Sequence, residues 1–579
     1  MHTPDPTTQA KPSLHRSPSS TDYEKPAIAS PKAAEETKVY PPMPRIIITI
    51  TAVYMTNFLV ALVRFHTLYP FVVFQTDNPQ DKTIIATAIP RITDDFNTLS
   101  DLGWYASAYL LTLCAGQLLW GKIYTFYPTK PTYLAAILLF EVGSAICGAA
   151  PSSGVFILGR AIAGLGSAGI NNGGIMVVIE TVPLAKRPIF QGLIGAIFGI
   201  AAVLGPLLGG VFTEHVSWRW CFYINLPFGA VALAIIVVVL HVPAKQSAKL
   251  PFREQLRQMD LLGNILFLIS VVCLLVALQW GGTKYEWSSW RIILLLVLFP
   301  VLFMAFLGVQ LWKPETATLP MRVIKQRSIA AGMISSFAVQ GGMQTMTYFI
   351  PLFFQAIKGF SPVKSGQAML PFVLGLVVAA ISGGAIVQKM GYPAPLMIVS
   401  SVLGSIGAGL LTTWGVDVHR SVWIGYQVLF GFGIGIGMQQ PIMSAQIVLS
   451  DKDAPMGVAL MFASQNLGGA IFVSVAQSVF AVTLAAQLTK IPGLNLSSKD
   501  VAEKGATNIK AMVPKELMGV LLEGYRIAIR NAFYIGLSLA CASIVGAALM
   551  EWRSVKEREK KGGTDEEAGA AEGEEKASS

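Results

Sequence analysis

The chain has 579 residues, of which 53% are hydrophobic and only 13% charged, with a mean hydropathy of +0.56. Soluble domains carry about 25% charged residues, and single soluble cores stop growing at about 250–300 residues. An ordinary soluble enzyme is therefore excluded, and the bilayer is the expected solvent. The net charge of +10, from 43 basic and 33 acidic residues, would raise nucleic acid as a partner in a soluble protein. Outside the two tails most basic residues fall in short gaps between apolar runs, as on the cytoplasmic side of a membrane protein, so no nucleic-acid partner is expected.

Residues 1–45 are polar, rich in Pro, Ser, Thr and Lys, and lack an apolar h-region. They read as a disordered tail, not a cleaved signal peptide. A spanning helix needs about 20 mostly apolar residues. Such runs fall at 46–62, 103–121, 131–149, 155–179, 189–212, 222–242, 260–280, 291–311, 329–355, 366–388, 394–414, 421–447, 456–485 and 531–551, fourteen in all. The expected fold class is an all-α polytopic membrane protein. An even number of spans puts both tails on one side. With the N-terminus inside, the short inner gaps hold fourteen basic residues and the short outer gaps seven, which predicts cytoplasmic termini. The gap at 486–530 falls outside, and its segment 514–530 reads as an amphipathic helix lying on the membrane surface. Asn495-Leu496-Ser497, in this loop, makes Asn495 the candidate glycosylation site, with a chance match equally open. Residues 552–579 are charged and Gly/Ala-rich, a second disordered tail.

Cys114, Cys147, Cys221, Cys273 and Cys541 lie in or beside apolar runs without a CxxC, as small buried residues and not as a disulfide or metal framework. The six histidines are far apart, which disfavours a polytopic membrane enzyme built on metal or base chemistry, and no metal site is expected. No Walker A lysine is present, so ATP is not the expected energy source.

In the fifth run, Gly199 is followed by Gly205-Pro206-Leu207-Leu208-Gly209-Gly210. Glycines four apart let helices approach backbone to backbone, and Pro206 removes a hydrogen bond and is expected to kink the helix. In the fourth run, Leu158-Gly159-Arg160 precedes Gly164 and Gly166. A charge there costs several kcal/mol unless it is paired or faces a cavity. The GPxxGG arrangement resembles the antiporter motif of major facilitator superfamily exporters, and the Arg160 segment resembles that family's fourth-span motif. Asp81-Lys82-Thr83-Ile84-Ile85-Ala86-Thr87-Ala88-Ile89-Pro90 resembles the first-span motif of the fourteen-span drug:proton antiporters. Residues 217–227 (SWRWCFYINLP), 279–282 (QWGG) and 348–355 are similar to sequences recurring in fungal toxin and secondary-metabolite efflux pumps.

The resemblance covers roughly 46–551. It implies a six-helix bundle over 46–242, two linker spans over 243–312 and a second six-helix bundle over 313–551. It also implies export of a small amphiphilic organic molecule, driven by the proton gradient without a cofactor. Asp81 and Arg160 would couple to protons, with a structural ion pair as the less favoured alternative for Arg160. A monomer in the plasma membrane is expected. The same-fold alternative is a vacuolar basic-amino-acid or siderophore antiporter.

Two departures stand out. The loop after the second span reads Gly121-Lys122-Ile123-Tyr124-Thr125-Phe126-Tyr127-Pro128-Thr129-Lys130, with Thr125 and Thr129 where the superfamily carries an aspartate and an arginine. The inner-gate charge relay attributed to that motif cannot operate in its usual form. The first span is also interrupted. Residues 63–80 (VRFHTLYPFVVFQTDNPQ) separate Leu62 from Asp81 and read as an insertion, the translation of an unspliced intron; a lineage-specific loop or a broken helix is the alternative. The polar residues inside the runs, Gln117, Asn171, Asn172, Gln340, Gln344, Gln439, Gln440, Gln465 and Asn466, are the candidate substrate contacts, with helix–helix hydrogen bonding as the plainer role.

Overall fold

Each apolar run meets a helix, because in hydrocarbon the backbone must satisfy its polar groups within its own segment. The computed structural model describes residues 40–68, 101–241, 258–282, 285–313, 316–489 and 513–559, with a few isolated positions between. Its long helices are α1 (Met43–Leu68), α2 (Leu102–Phe126), α3 (Thr129–Ala149), α4 (Ser153–Thr181), α5 (Arg187–His215) and α6 (Asn225–Val239). Then follow α7 (Leu261–Trp280), α8 (Trp290–Trp312), α9 (Arg327–Ala356), α10 (Leu370–Met390) and α11 (Ala394–Leu411). The last are α12 (Arg420–Gly437, resuming as Gln440–Val448), α13 (Ala454–Leu488) and α14 (Met518–Leu549). Twelve membrane-length apolar helices are present among the described residues. The two remaining, α2 with 25 residues and α9 with 30, are long enough to cross but more polar. We call the side on which α1 begins and α14 ends the near face, and the other the far face.

α1 to α6 pack on one another, chiefly α3 on α4, α2 on α4, and α1 on α5 and α6. α9 to α14 form a second group, through α9 with α13 and α14, and α12 with α10 and α11. The groups meet along α5–α10 and α2–α13. α7 lies against α2 and α13, and α8 packs on α7, with most of its residues not buried by protein.

Glycines set the closest approaches between the groups. Gly192 of α5 faces the Ala380 carbonyl of α10, and a Cβ on Gly384 would stand 2.5 Å from the Pro188 carbonyl oxygen. Gly199 faces Val377 and Leu376. α5 runs unbroken through Pro206. α12 does break, at Met438-Gln439, because Pro441 has no N–H for the preceding turn. Gln440 donates to the Ile436 carbonyl at 3.1 Å and Gln465 to the Met438 carbonyl at 3.5 Å, repairing the gap.

Three expectations need correction. Cys541, expected to be buried like the other cysteines, is exposed on α14. The segment 514–530 is not a separate surface helix, since α14 begins at Met518 and continues unbroken to Leu549. Leu521, Tyr525, Ala528 and Ile529 are buried in one cluster with Leu484 and Leu488 of α13, so this apolar stripe packs on protein instead of lipid. The polar gap accordingly shrinks to 489–517. α1 also does not end at Leu62 but continues helically through Leu68, with Val63 buried. Residues 69–91, including Asp81 and the rest of the supposed insertion, lie outside the described residues, as does Asn495.

The linker pair is anchored by a buried carboxylate. Asp260, at a left-handed φ of 46°, caps α7 by accepting from the Gly263 N–H at 3.0 Å. It also accepts from Gln310 Nε2 of α8 at 2.7 Å, from the Thr318 N–H at 3.1 Å and from the Thr318 hydroxyl at 2.9 Å. Gln310 in turn accepts from the Leu319 N–H at 2.8 Å. One side chain thus holds the start of α7, the end of α8 and the strand of chain leading to α9. Asp260→Ala removes a cap and orphans buried donors, a loss of about 2 kcal/mol or more. We expect it to lower the melting temperature of the purified protein; an unchanged melting curve would contradict this account of the linker.

Candidate functional site

A cavity of about 90 Å³ opens between the two groups of helices. α2 contributes Ser107, Leu110 and Leu111; α7 contributes Leu275 and Gln279; α9 contributes Gln344 and Tyr348. α13 supplies Asn466, Gly469, Ala470, Val473, Ser474 and Gln477. The Tyr348 hydroxyl is hydrogen-bonded to Gln477. The lining mixes amides and hydroxyls with aliphatic groups and holds no charged side chain among the described residues. Such a surface fits a neutral or weakly polar molecule with an apolar body.

Of the nine polar candidates, the structure places Gln344 and Asn466 on this cavity and the others elsewhere. Asn172 donates to the side chain and main chain of Gln117 at 2.9 and 3.1 Å, tying α4 to α2. Gln440 and Gln465 mend the α12 break. Asn171, Gln340 and Gln439 are buried, each with a side-chain oxygen that has no partner among the described residues. Ser107, Ser474 and Gln477 are polar cavity residues that the sequence did not single out, while Gln279 and Tyr348 stood in the 279–282 and 348–355 segments, noted for resemblance and not as cavity contacts.

Arg160 is completely buried in α4. Its Nε donates to the Tyr105 carbonyl of α2 at 2.8 Å, and its guanidinium stacks 4.3 Å from the centroid of the Tyr109 ring. A carbonyl and an aromatic face are what a planar cation needs when water is absent. The glycines around it serve the same closeness: Gly164 packs on the Tyr109 and Thr112 region of α2, and Gly166 on Phe140 of α3. Gly205 and Gly209 of the fifth-span motif are buried in α5; Gly210 continues that helix.

At the near face, Gly121 packs on α13, where a Cβ would stand 2.5 Å from the Ala459 Cβ. Thr125 folds back on the Gly121 carbonyl at 2.9 Å, and Thr129 bonds Glu180 at 2.5 Å. Lys122 reaches the linker, donating to the Thr316 carbonyl at 3.1 Å within electrostatic range of Asp260 and Asp453. Asp453, at the start of α13, is itself paired with Arg322 at 2.6 Å. The charges here are supplied by the linker and the second group of helices, in place of the aspartate that the loop lacks.

The far-face motifs are brackets. In the 217–227 segment, Arg219 donates to the carbonyls of Gly148 and Ala150 at 2.9 and 2.8 Å, capping α3. Trp218 packs edge-on against Phe156, 5.8 Å between centroids. Trp280 stands between Trp104 of α2 and Tyr285, at 6.1 and 5.8 Å, which fixes α7 beside α2. Gly282 turns there with φ of 74°, where a side chain would be strained.

One further buried group was missed. Glu141, in the middle of α3, is 7% exposed, and neither of its carboxylate oxygens has a partner among the described residues. It faces Gly229 of α6, where a Cβ would overlap the carboxylate.

A helical membrane body with a neutral polar cavity between two packed groups has the build of a membrane carrier. The chain belongs to the major facilitator superfamily, whose family model matches residues 78–473. It is 49% identical over 507 residues to the MFS-type transporter VdtG of Byssochlamys spectabilis, covering 88% of each chain. It is 46% identical to the rubrofusarin-specific efflux pump aurT of Gibberella zeae, covering 83% of this chain and 88% of the relative. It is 48% identical to the efflux pump aflT of Aspergillus parasiticus, covering 82% and 93%. Among solved structures, the proton:xylose symporter XylE shares the fold, with a TM-score of 0.51 and 12% identity over 86% of this chain and 94% of that one. The protein is a multi-pass membrane transporter similar to fungal secondary-metabolite efflux pumps.

Proposed function

We propose that this protein is a proton-driven exporter of a small amphiphilic organic molecule, a toxin or other secondary metabolite, working by alternating access. The observation that carries the reading is kinship at 46–49% identity, over more than four-fifths of both chains, with relatives named as transporters and efflux pumps. The uncharged amphipathic cavity supports it. A basic amino acid would require a carboxylate in the cavity to offset the desolvation of its charge, and the lining has none among the described residues. The two helix groups rock about the midplane cavity, so that the α5–α10 and α2–α13 contacts part on one face at a time. Inward proton flow supplies the energy, with Asp81 and Arg160 as coupling groups and no cofactor. The protein acts as a monomer in the plasma membrane with both termini in the cytoplasm.

Inside-out membrane vesicles test this. With an acid interior, vesicles holding the protein should accumulate rubrofusarin, offered first in a panel of neutral aromatic probes, and nigericin should abolish the accumulation. Lysine should not be carried. Accumulation that survives nigericin, or uptake of lysine in place of the neutral probes, would overturn the reading.

A further inference from the structure

Among the described helices, Glu141 is the one Asp or Glu lying more than two turns from either end of a span. It sits at the thirteenth of the 21 residues of α3, about 18 Å along the helix from its near-face start. The neighbouring positions Leu138 and Val142 are 52% and 51% exposed on the outer surface of α3, whereas Glu141 turns into the seam with α6. One turn toward the far face, Ser144 accepts from Asn225 Nδ2 of α6 at 3.2 Å, and Asn225 Oδ1 has no partner among the described residues. Beyond them Tyr223 covers Gly148. The seam therefore holds three acceptor atoms without donors: both oxygens of Glu141 and the amide oxygen of Asn225.

Acceptors facing low dielectric without a donor are costly, and an unpaired carboxylate at this depth costs more still. The ionisable groups on the packed helices are engaged elsewhere. Arg160 and Glu180 of α4 hold Tyr105 and Thr129, and Arg219 holds the α3 carbonyls. Tyr223 stacks edge-on to Trp220 at 6.3 Å. On α2, Tyr105 and Tyr109 bond Ser153 and Ser167, Tyr124 bonds the Gly169 carbonyl and Lys122 bonds Thr316. α6 has no ionisable residue along its length. Among the described residues no cation answers Glu141, and a proton on the carboxyl would remove the unpaired charge from the seam.

We propose that Glu141 is a proton-binding site of the transport cycle, separate from Arg160, reached from the far face along the file of Asn225 and Ser144. This rests on the proton-driven reading above. The step is a single proton transfer. An O–H bond forms on the Glu141 carboxylate as a hydronium ion of the far face gives up its proton and becomes water, leaving the carboxyl neutral in the closed seam. The bond breaks to water when α6 moves off α3, and the carboxylate is then hydrated. Without a side chain, Gly229 lets α6 close over the neutral carboxyl, where a Cβ would overlap it, and a charged carboxylate would lose its hydration in the closed seam.

The test uses the full chain in lipid with spin labels at Val216→Cys and Leu370→Cys, exposed positions on opposite helix groups at the far face, in a Cys541→Ser background that removes the exposed native thiol. In the unsubstituted Glu141 protein, the interlabel distance should shift with pH, and infrared difference spectra should show a buried protonated carboxyl that titrates in step. Glu141→Gln, nearly isosteric and permanently neutral, should lose that band and hold the low-pH distance at every pH. Glu141→Asp should keep a titrating band and a displaced distance shift. A Glu141→Gln protein that keeps the full pH-dependent shift, or a band that survives the substitution, overturns the proposal. A parent protein whose distance ignores pH overturns it too, and does so by removing the proton-driven reading itself, before any Glu141 variant is considered.

Discussion

Arg160→Ala should insert normally in the membrane and yet lose proton-driven export to background. The guanidinium is fully buried, and its Nε bond to the Tyr105 carbonyl and its stacking on Tyr109 join α4 to α2. Alanine leaves the carbonyl without its donor and the ring without its cation, removing a desolvated cation–π contact of about 2 kcal/mol. Arg160→Lys should rescue only in part. An ammonium keeps the charge but cannot stack as a plane over Tyr109 while donating sideways from Nε. The measurement is gradient-driven uptake in inside-out vesicles, normalised to transporter content by immunoblot. Full uptake by the alanine variant at normal content would remove Arg160 from the mechanism.

The second large effect is expected at the α5–α10 seam. Gly192 and Gly384 bring main chain against main chain, and the atoms opposing any added Cβ are the carbonyls of Ala380 and Pro188, which cannot rotate away. Gly192→Val or Gly384→Val should therefore prise the helix groups apart on the near-face half of the seam, without touching the core of either. Transport should fall to background, while a cysteine placed near Gly195 becomes reactive to a water-soluble maleimide. Loss of transport with no gain in reactivity would show that the valine damages folding instead of closure. Wild-type transport would show that the seam has slack.

The limits of sequence reasoning here are physical ones. Arg160 is legible because one charge in an apolar run has few acceptable environments. The same rule applies to Glu141, and nothing but its lack of a neighbouring motif hid it. The Asp260 knot is different: its partners Gln310 and Thr318 lie far along the chain, and only packing of α8 against α7 brings them together. The helical periodicity of the polar residues could not sort Gln344 and Asn466, which face the cavity, from Gln440 and Gln465, which mend a backbone break. Those amides are chemically alike, and only the phase of each helix separates them. The stretch from Met518 to Arg530 misleads for a related reason. An apolar stripe with charges opposite, such as Glu523 paired with Arg526 at 2.5 Å, suits a lipid surface and a protein groove equally. The groove beside α13 decides between them.

In the proposed cycle, outward movement of substrate is exchanged for inward movement of protons. The most direct measurement places purified protein in liposomes that enclose a pH-sensitive dye and offers the probe carried in the vesicle assay from outside. Molecules carried inward through exporters facing inside-out must be matched by protons carried outward. The lumen should then become alkaline at a rate that rises with probe concentration and vanishes in Arg160→Ala. Probe entry at an undiminished rate with no change in lumenal pH would contradict the account.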